Sequence, residues 1–270
     1  MSVEGTLPAT PPPDEVKACC AAAYQRDVVA LILGESYHPG GSELTRRLAR
    51  RLGLAPGQRV LDVASGPGTT AFLLHAELGL AVDGVDLGEE SVARANERAR
   101  ETGVEGVVRF HRGDAERLPF DDSSFDAVIC ECAFCTFPDK PTAAREMARV
   151  LRPGGKLGIT DVTLDRSRLD PELRSLAGWV ACLADARSLE EYITLLAGAG
   201  LDVKETEGHD DALARMIDQI DARLSALRMA AGGPALAGID FQAARDRVAL
   251  AAQAVAAGTA GYSLLVAEKG

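Results

Sequence analysis

Short apolar runs that end in glycine or an acid alternate along the chain with longer segments whose apolar positions repeat at helical spacing. The runs predict strands over 59–64, 81–85, 107–111, 126–131 and 156–162. Helical segments are predicted over 69–78, 89–101 and 141–150, with Gly103 closing the second. Ser188-Leu189-Glu190-Glu191 is a capping box opening a further helix to Gly198. A sixth strand follows at Leu201–Glu207 and a seventh at Gly261–Glu268. With each strand followed by a crossover helix, the pattern predicts a doubly wound α/β fold: a mostly parallel, seven-stranded, Rossmann-like sheet.

Two regions fall outside this alternation. Residues 14–33 read as one helix, with Val16, Cys20, Ala23, Tyr24 and Val28 on one side. A Gly-rich loop over 34–41 follows, then a helix over 42–53. Between the last two strands, Leu213, Met216, Ile217, Ile220, Leu224 and Leu227 keep helical spacing. So do Phe241, Ala244, Val248, Ala251, Ala252 and Val255, beyond Gly232-Gly233-Pro234. This predicts an inserted helical hairpin, either capping the substrate side or forming a homodimer contact. Met1–Pro13, rich in Pro and Thr, is expected to be disordered.

Val60 to Ala71 reads as strand, glycine turn and helix start. Gly66 and Gly68, lacking Cβ, let the backbone turn sharply and approach a ligand. Asp86 ends the next strand about 20 residues after Gly66, where a carboxylate takes the two hydroxyls of a ribose. An adenosine-containing cofactor is therefore expected at the carboxyl edge of the sheet. Gly66-x-Gly68-x-x-Ala71 also fits a nicotinamide-dinucleotide fingerprint, which keeps an NAD(P)-dependent oxidoreductase open. Asp62, inside the strand before the turn, suits a cationic amino group better than a pyrophosphate. A third acid, Asp114, follows the third strand.

Composition narrows the partners. The 270 residues carry a formal net charge of −11, against a nucleic-acid substrate, which needs clustered Lys and Arg. The basic run Arg46–Arg51 reads as the polar face of a helix. No apolar run approaches about 18 residues, so no spanning helix is expected. The N-terminus has no signal-peptide pattern, so a cytoplasmic location is expected, with the six cysteines as thiols.

The motifs at Val60–Ala71, Asp86, Gly113-Asp114-Ala115 with Leu118-Pro119-Phe120, and Val150–Leu157 come in order at regular spacing. Over roughly residues 34–165 the chain resembles the class I S-adenosylmethionine-dependent methyltransferases. The resemblance implies S-adenosyl-L-methionine as cofactor and a small-molecule methyl acceptor. It implies that Asp62 and the backbone from Ala64 through Gly66 to Gly68 face the methionine part. Asp86 with Leu87 would bind the ribose, and Asp114 with the Ala115 amide the adenine edge. Tyr24, Ser36, Gly40 and Gly41 would lid the methionine end, with Glu131 also on the cofactor. It divides residues 14–270, one domain, into a helical lid (14–57), a cofactor core (58–165) and a substrate-side segment (166–270).

The fourth strand runs into Cys130-Glu131-Cys132 and on to Cys135, where a methyl acceptor should lie. By strand alternation Cys130 and Cys132 share a face. Buried core thiols or a zinc site are the readings of the residues alone, and zinc lacks a nearby fourth ligand. The stretch Cys132–Lys140, Arg149–Gly155, Asp161-Val162, Asp165-Arg166, Pro171–Arg174 and Cys182 further resembles the arsenite methyltransferases. That implies As(III) held by Cys132, Cys182 and Cys20 or Cys19, a soft centre suited to thiolates. The alternative acceptor is an organic metabolite, with Glu131 or His38 near its reacting atom.

Overall fold

The computed structural model describes residues 12–34, 36–168, 170, 173, 185–229 and 240–270. Seven strands form one sheet in the order β3-β2-β1-β4-β5-β7-β6. β1 (Arg59–Val63), β2 (Ala81–Asp86), β3 (Val108–Arg112), β4 (Phe125–Glu131) and β5 (Leu151–Leu164) pair in parallel. β7 (Ala260–Lys269) is antiparallel both to β5 and to β6 (Leu201–Gly208). Strand order reverses between β1 and β4, which opens a crevice at their carboxyl ends.

Helices cover both faces. On one, α3 (Gly41–Leu52) buries Leu44, Leu48 and Leu52 beside Ala71 and Leu74 of α4 (Thr69–Leu78). The approach is close: a Cβ on Gly158 of β5 would stand 2.8 Å from a Leu48 methyl. On the other face, α6 (Lys140–Val150) and α7 (Leu189–Gly198) bury Met147 and Tyr192 against Leu61, Val63 and Val128. The capping box at Ser188 and Glu191 forms as the sequence predicts.

Three expectations need correction. The 14–33 helix is two helices, α1 (Pro13–Tyr24) and α2 (Asp27–Leu33), broken where Arg26 takes an extended ψ of 131°. The break frees the Gln25 side chain to accept from the Glu90 amide (3.0 Å) at the start of α5 (Glu89–Glu101). Pro13 belongs to α1, where a first-turn proline forfeits no hydrogen bond; Met1 to Pro11 lie outside the described residues. No helix links β3 to β4. Residues 113–124 run without helix because α6 satisfies their backbone: Glu146 accepts from Leu118 N, and Arg149 donates to the Leu118 and Phe120 carbonyls.

The predicted hairpin is present as α8 (Asp210–Met229) and α9 (Phe241–Ala256), its turn region outside the described residues. Its place follows from topology. β6 runs in the same direction as β5, so a chain leaving β6 emerges at the carboxyl edge, where the crevice is. α8 packs on α2 and β7, and α9 on α8 and β7. α9 has no fully buried residue, because its apolar side faces a cavity rather than filled core. No helix among the described residues is long and apolar enough to cross a membrane.

Candidate functional site

The turn after β1 is held in a shape few sequences tolerate. Ala64, Gly66 and Gly68 all have positive φ (60°, 50° and 79°). A Cβ on Gly68 would lie 2.4 Å from the Phe110 ring, so the third position admits only glycine. Asp86 at the end of β2 pins the turn: its carboxylate accepts from Gly66 N at 2.8 Å and Gly88 N at 2.7 Å. Burial raises the Asp86 pKa despite these two bonds.

Asp62 is 3% exposed, and its Oδ2 has no hydrogen-bond partner. Burial first, then the charges of Glu131 and Asp86, push its carboxyl well above the ordinary range. A buried, unsatisfied acceptor among like charges is costly, and a cation relieves both penalties. Glu131, at the end of β4, is more completely engaged. Thr70 Oγ1 donates to it at 2.7 Å, Thr45 Oγ1 lies 3.0 Å away, and His38 Nε2 is at 3.6 Å.

A first cavity lies along this edge. Its walls include Ala64, Gly66, Asp86, Leu87, Asp114 and Ala115 from the sheet, with Glu131 and Cys132 at one end. Cys20 and Tyr24 close it from α1. Asp62, Gly68, Ser36, Gly40, Gly41 and Cys19 are not in its walls; Cys182 lies outside the described residues. Ser36, in the turn before α3, lies against Gly41, the first residue of α3, 3.5 Å from Ser36 Cβ to an added Gly41 Cβ. Asp114 is bound differently from the sequence expectation: Lys17 of α1 donates to its Oδ2 at 2.9 Å and also pairs with Glu116.

Lys17, Tyr37, Thr45 and Thr70 are site residues that sequence reasoning missed. Lys17 had a signal, since Lys17, Cys20, Ala21 and Tyr24 share one helical face and all line the cavity. The cysteines separate against expectation. Cys130 packs in the core cluster on one face of the sheet and Cys132 against the other, because Cys132 leaves β4 with φ 52° and breaks the strand alternation. Burial raises the Cys130 pKa well above the ordinary thiol value. Among the described residues, no three His, Cys, Asp or Glu side chains gather as a metal site.

A second cavity, of about 370 Å³, opens beside the first. Tyr24, Tyr37 and Cys132 line both. The rest of its wall is mostly aliphatic: Val29, Ile32 and Leu33 of α2, Leu213, Ile217 and Ile220 of α8, Val248 and Ala251 of α9.

Residues 61–159 match the family described as a methyltransferase domain. The chain is 34% identical over 198 residues to 27-O-demethylrifamycin SV methyltransferase of Amycolatopsis mediterranei, covering 67% of this chain and 72% of that protein. The chain belongs to the S-adenosylmethionine-dependent methyltransferases. Methyltransferase GfsG of Streptomyces halstedii is 38% identical over 168 residues, 61% of this chain. The match spans only 60% of GfsG's own length. An arsenite methyltransferase of Halobacterium salinarum is 34% identical over 166 residues, 59% of this chain and 41% of that one. In fold the chain is similar to phosphoethanolamine N-methyltransferase 2 of Haemonchus contortus, solved with S-adenosylhomocysteine (TM-score 0.78, 22% identity, 94% of this chain and 60% of that one).

The residues of this methyltransferase fit S-adenosylmethionine. The cofactor carries one ammonium, and Asp62, two residues before the cavity-lining Ala64 though not itself in the wall, holds a buried carboxylate oxygen without a partner among the described residues. Its adenosine needs backbone that approaches closely and an acid at the second strand end, and Gly66 and Asp86 present both at one cavity. When bound it supplies an electrophilic methyl group. The protein's part is to orient that group and exclude water.

Proposed function

We propose that this enzyme methylates a predominantly apolar organic molecule seated in the second cavity. One observation carries the reading: a mostly aliphatic cavity of about 370 Å³ shares Tyr24, Tyr37 and Cys132 with the cofactor cavity. A volume of that order suits a drug-sized ligand held by apolar contact. Asp62 takes the methionine ammonium, Asp86 with Leu87 the ribose, and Asp114 with Ala115 the adenine edge. Asp114 then exchanges its Lys17 partner or shares it. Tyr24 and the Ser36–Gly41 segment close over the methionine end.

Among the described residues, none of those lining the second cavity is Asp, Glu or His. The acceptor atom therefore arrives as a good nucleophile, such as an enolate, a phenolate or a thiolate, or gives its proton to Glu131 on the cofactor side. Catalysis is then mostly alignment and desolvation. The relative named as a 27-O-demethylrifamycin SV methyltransferase supports the reading of an organic acceptor. The enzyme acts as a water-soluble protein of the cytoplasm.

The test is a panel of acceptors read by release of S-adenosylhomocysteine: lipophilic phenols and quinols, polyketide lactones, small polar amines, and As(III) with thiol. Turnover is expected with the first two groups. Ile220→Trp, which fills the cavity, lowers kcat/KM for them at least about tenfold while cofactor affinity stays unchanged. Turnover confined to polar amines would overturn the reading.

A second reading, As(III), is favoured by one observation: Cys20 and Cys132 line the same cavity. Thiolates suit As(III), whose lone pair attacks a methyl sulfonium without a base. Under it, Cys132→Ser and Cys182→Ser abolish As(III)-dependent turnover. Under the organic-acceptor reading both variants keep turnover of the lipophilic phenols.

A further inference from the structure

Among the described residues, the wall of the second cavity has one charged residue, Arg247 of α9. Its side chain is exposed, and its guanidinium makes a single long hydrogen bond of 3.4 Å, to the Ala243 carbonyl of its own helix. Neighbouring charges are already engaged. Arg245 pairs with Asp221 of α8 at 2.9 Å, and Asp246 accepts from Gln242 at 2.8 Å. Among the described residues Arg247 has no carboxylate partner, in a chain with 40 acids to 29 Lys and Arg.

Its position along the helix matters. Ala244, Val248, Ala251 and Val255 also line the cavity, and Val255 lies near the start of β7, where Ala260 joins the wall. That end is the carboxyl edge of the sheet, on the same side as Cys132. Arg247 stands a little over two turns before Val255, about 12 Å along the axis. An acceptor with its reacting atom at the Tyr24–Tyr37–Cys132 junction therefore presents its far end to Arg247. A guanidinium at an apolar rim, without a counter-ion, matches a carboxylate or a phosphate in bidentate geometry.

We propose that Arg247 selects acceptors that carry an acidic group remote from the methyl-accepting atom, so that the substrate class is an apolar skeleton ending in carboxylate or phosphate. This rests on the reading of the second cavity as the acceptor site. Arg247 is a specificity residue and takes no part in the methyl transfer.

Calorimetry on the full chain saturated with S-adenosylhomocysteine tests it, with decanoate, decyl phosphate and decanol as probes below their micelle concentrations. One or both anions are expected to bind about fivefold or more tightly than decanol, as a rim ion pair permits. The tighter of the two identifies the acid. Arg247→Gln brings the anions to the decanol level and leaves decanol unchanged. Arg245→Gln removes the same formal charge from the same helix and preserves the preference. Equal binding of all three probes in the wild type, or a preference that survives Arg247→Gln, overturns the proposal and leaves the acceptor cavity standing. Failure of decanol and both anions to bind overturns the acceptor-cavity reading and this proposal with it.

Discussion

At Asp62 the structure holds a carboxyl group that is buried, close to two other acids and short of a hydrogen-bond partner. Its pKa is raised in the folded state, so the folded chain binds its proton more tightly than the unfolded chain does. That linkage favours the fold at acid pH and is lost as pH rises from the unfolded value through the folded one. Asp86 is shifted the same way by its burial. Relative to the cofactor-free wild type, Asp62→Asn should therefore gain stability as pH rises from acid to neutral, because it removes this one opposing contribution. Urea titrations across pH check it; equal slopes in both proteins would contradict it. If Asp62 takes the ammonium as proposed, calorimetry on the same variant should show cofactor affinity at least about tenfold weaker, since a charged partner is gone. Gly68 is a second residue-scale case. A methyl there meets the Phe110 ring at 2.4 Å and must hold φ at 79°. Gly68→Ala should cost about 2–3 kcal/mol of stability by denaturant unfolding, the sum expected for overpacking and left-handed strain.

Among the elements, α2 is too short to persist alone. Arg223 of α8 holds it, donating to the carbonyls of Ile32 at 3.0 Å and Leu33 at 2.6 Å, its last two residues. The contact is tight enough that a Cβ on Gly34 would strike the guanidinium at 2.6 Å. Arg223→Ala should lower stability by about 1–2 kcal/mol, the scale of charge-assisted hydrogen bonds partly open to water. It should also raise the acceptor KM severalfold while the cofactor Kd stays within about twofold, because α2 and α8 wall the second cavity and not the first. Thermal unfolding with steady-state kinetics separates the two effects. Element prediction succeeded where periodicity and punctuation agreed, as at the capping box of α7 and both helices of the inserted hairpin. It failed at the α1–α2 break, where neither glycine nor proline marks the site. The break lets Gln25 meet Glu90, a contact across 65 residues that no local pattern announces.

For the whole molecule, a cofactor that binds only the folded chain raises its stability by mass action. At a hundredfold excess over Kd the gain is about 2.7 kcal/mol, and a chain of this size should then melt about 5 °C or more higher. Asp86→Ala should abolish the shift with S-adenosylmethionine, and neither protein should respond to NAD. A wild-type shift with NAD alone would contradict the cofactor assignment.

The sequence by itself determined the sheet, the order of its elements and the acids at three strand ends. Those features are written in local terms, as alternation, glycine turns and fixed offsets. It also announced an inserted helical pair, though not its purpose. Tertiary structure alone decided that the antiparallel pairing of β7 turns this insertion toward the crevice, where it encloses a cavity. It decided that Cys130 and Cys132 part to opposite faces, because a single residue at φ 52° resets the alternation. It also decided that Lys17 meets Asp114 and that Arg247 has no counter-ion among the described residues, since ion pairs join residues far apart in the chain and no periodicity encodes them.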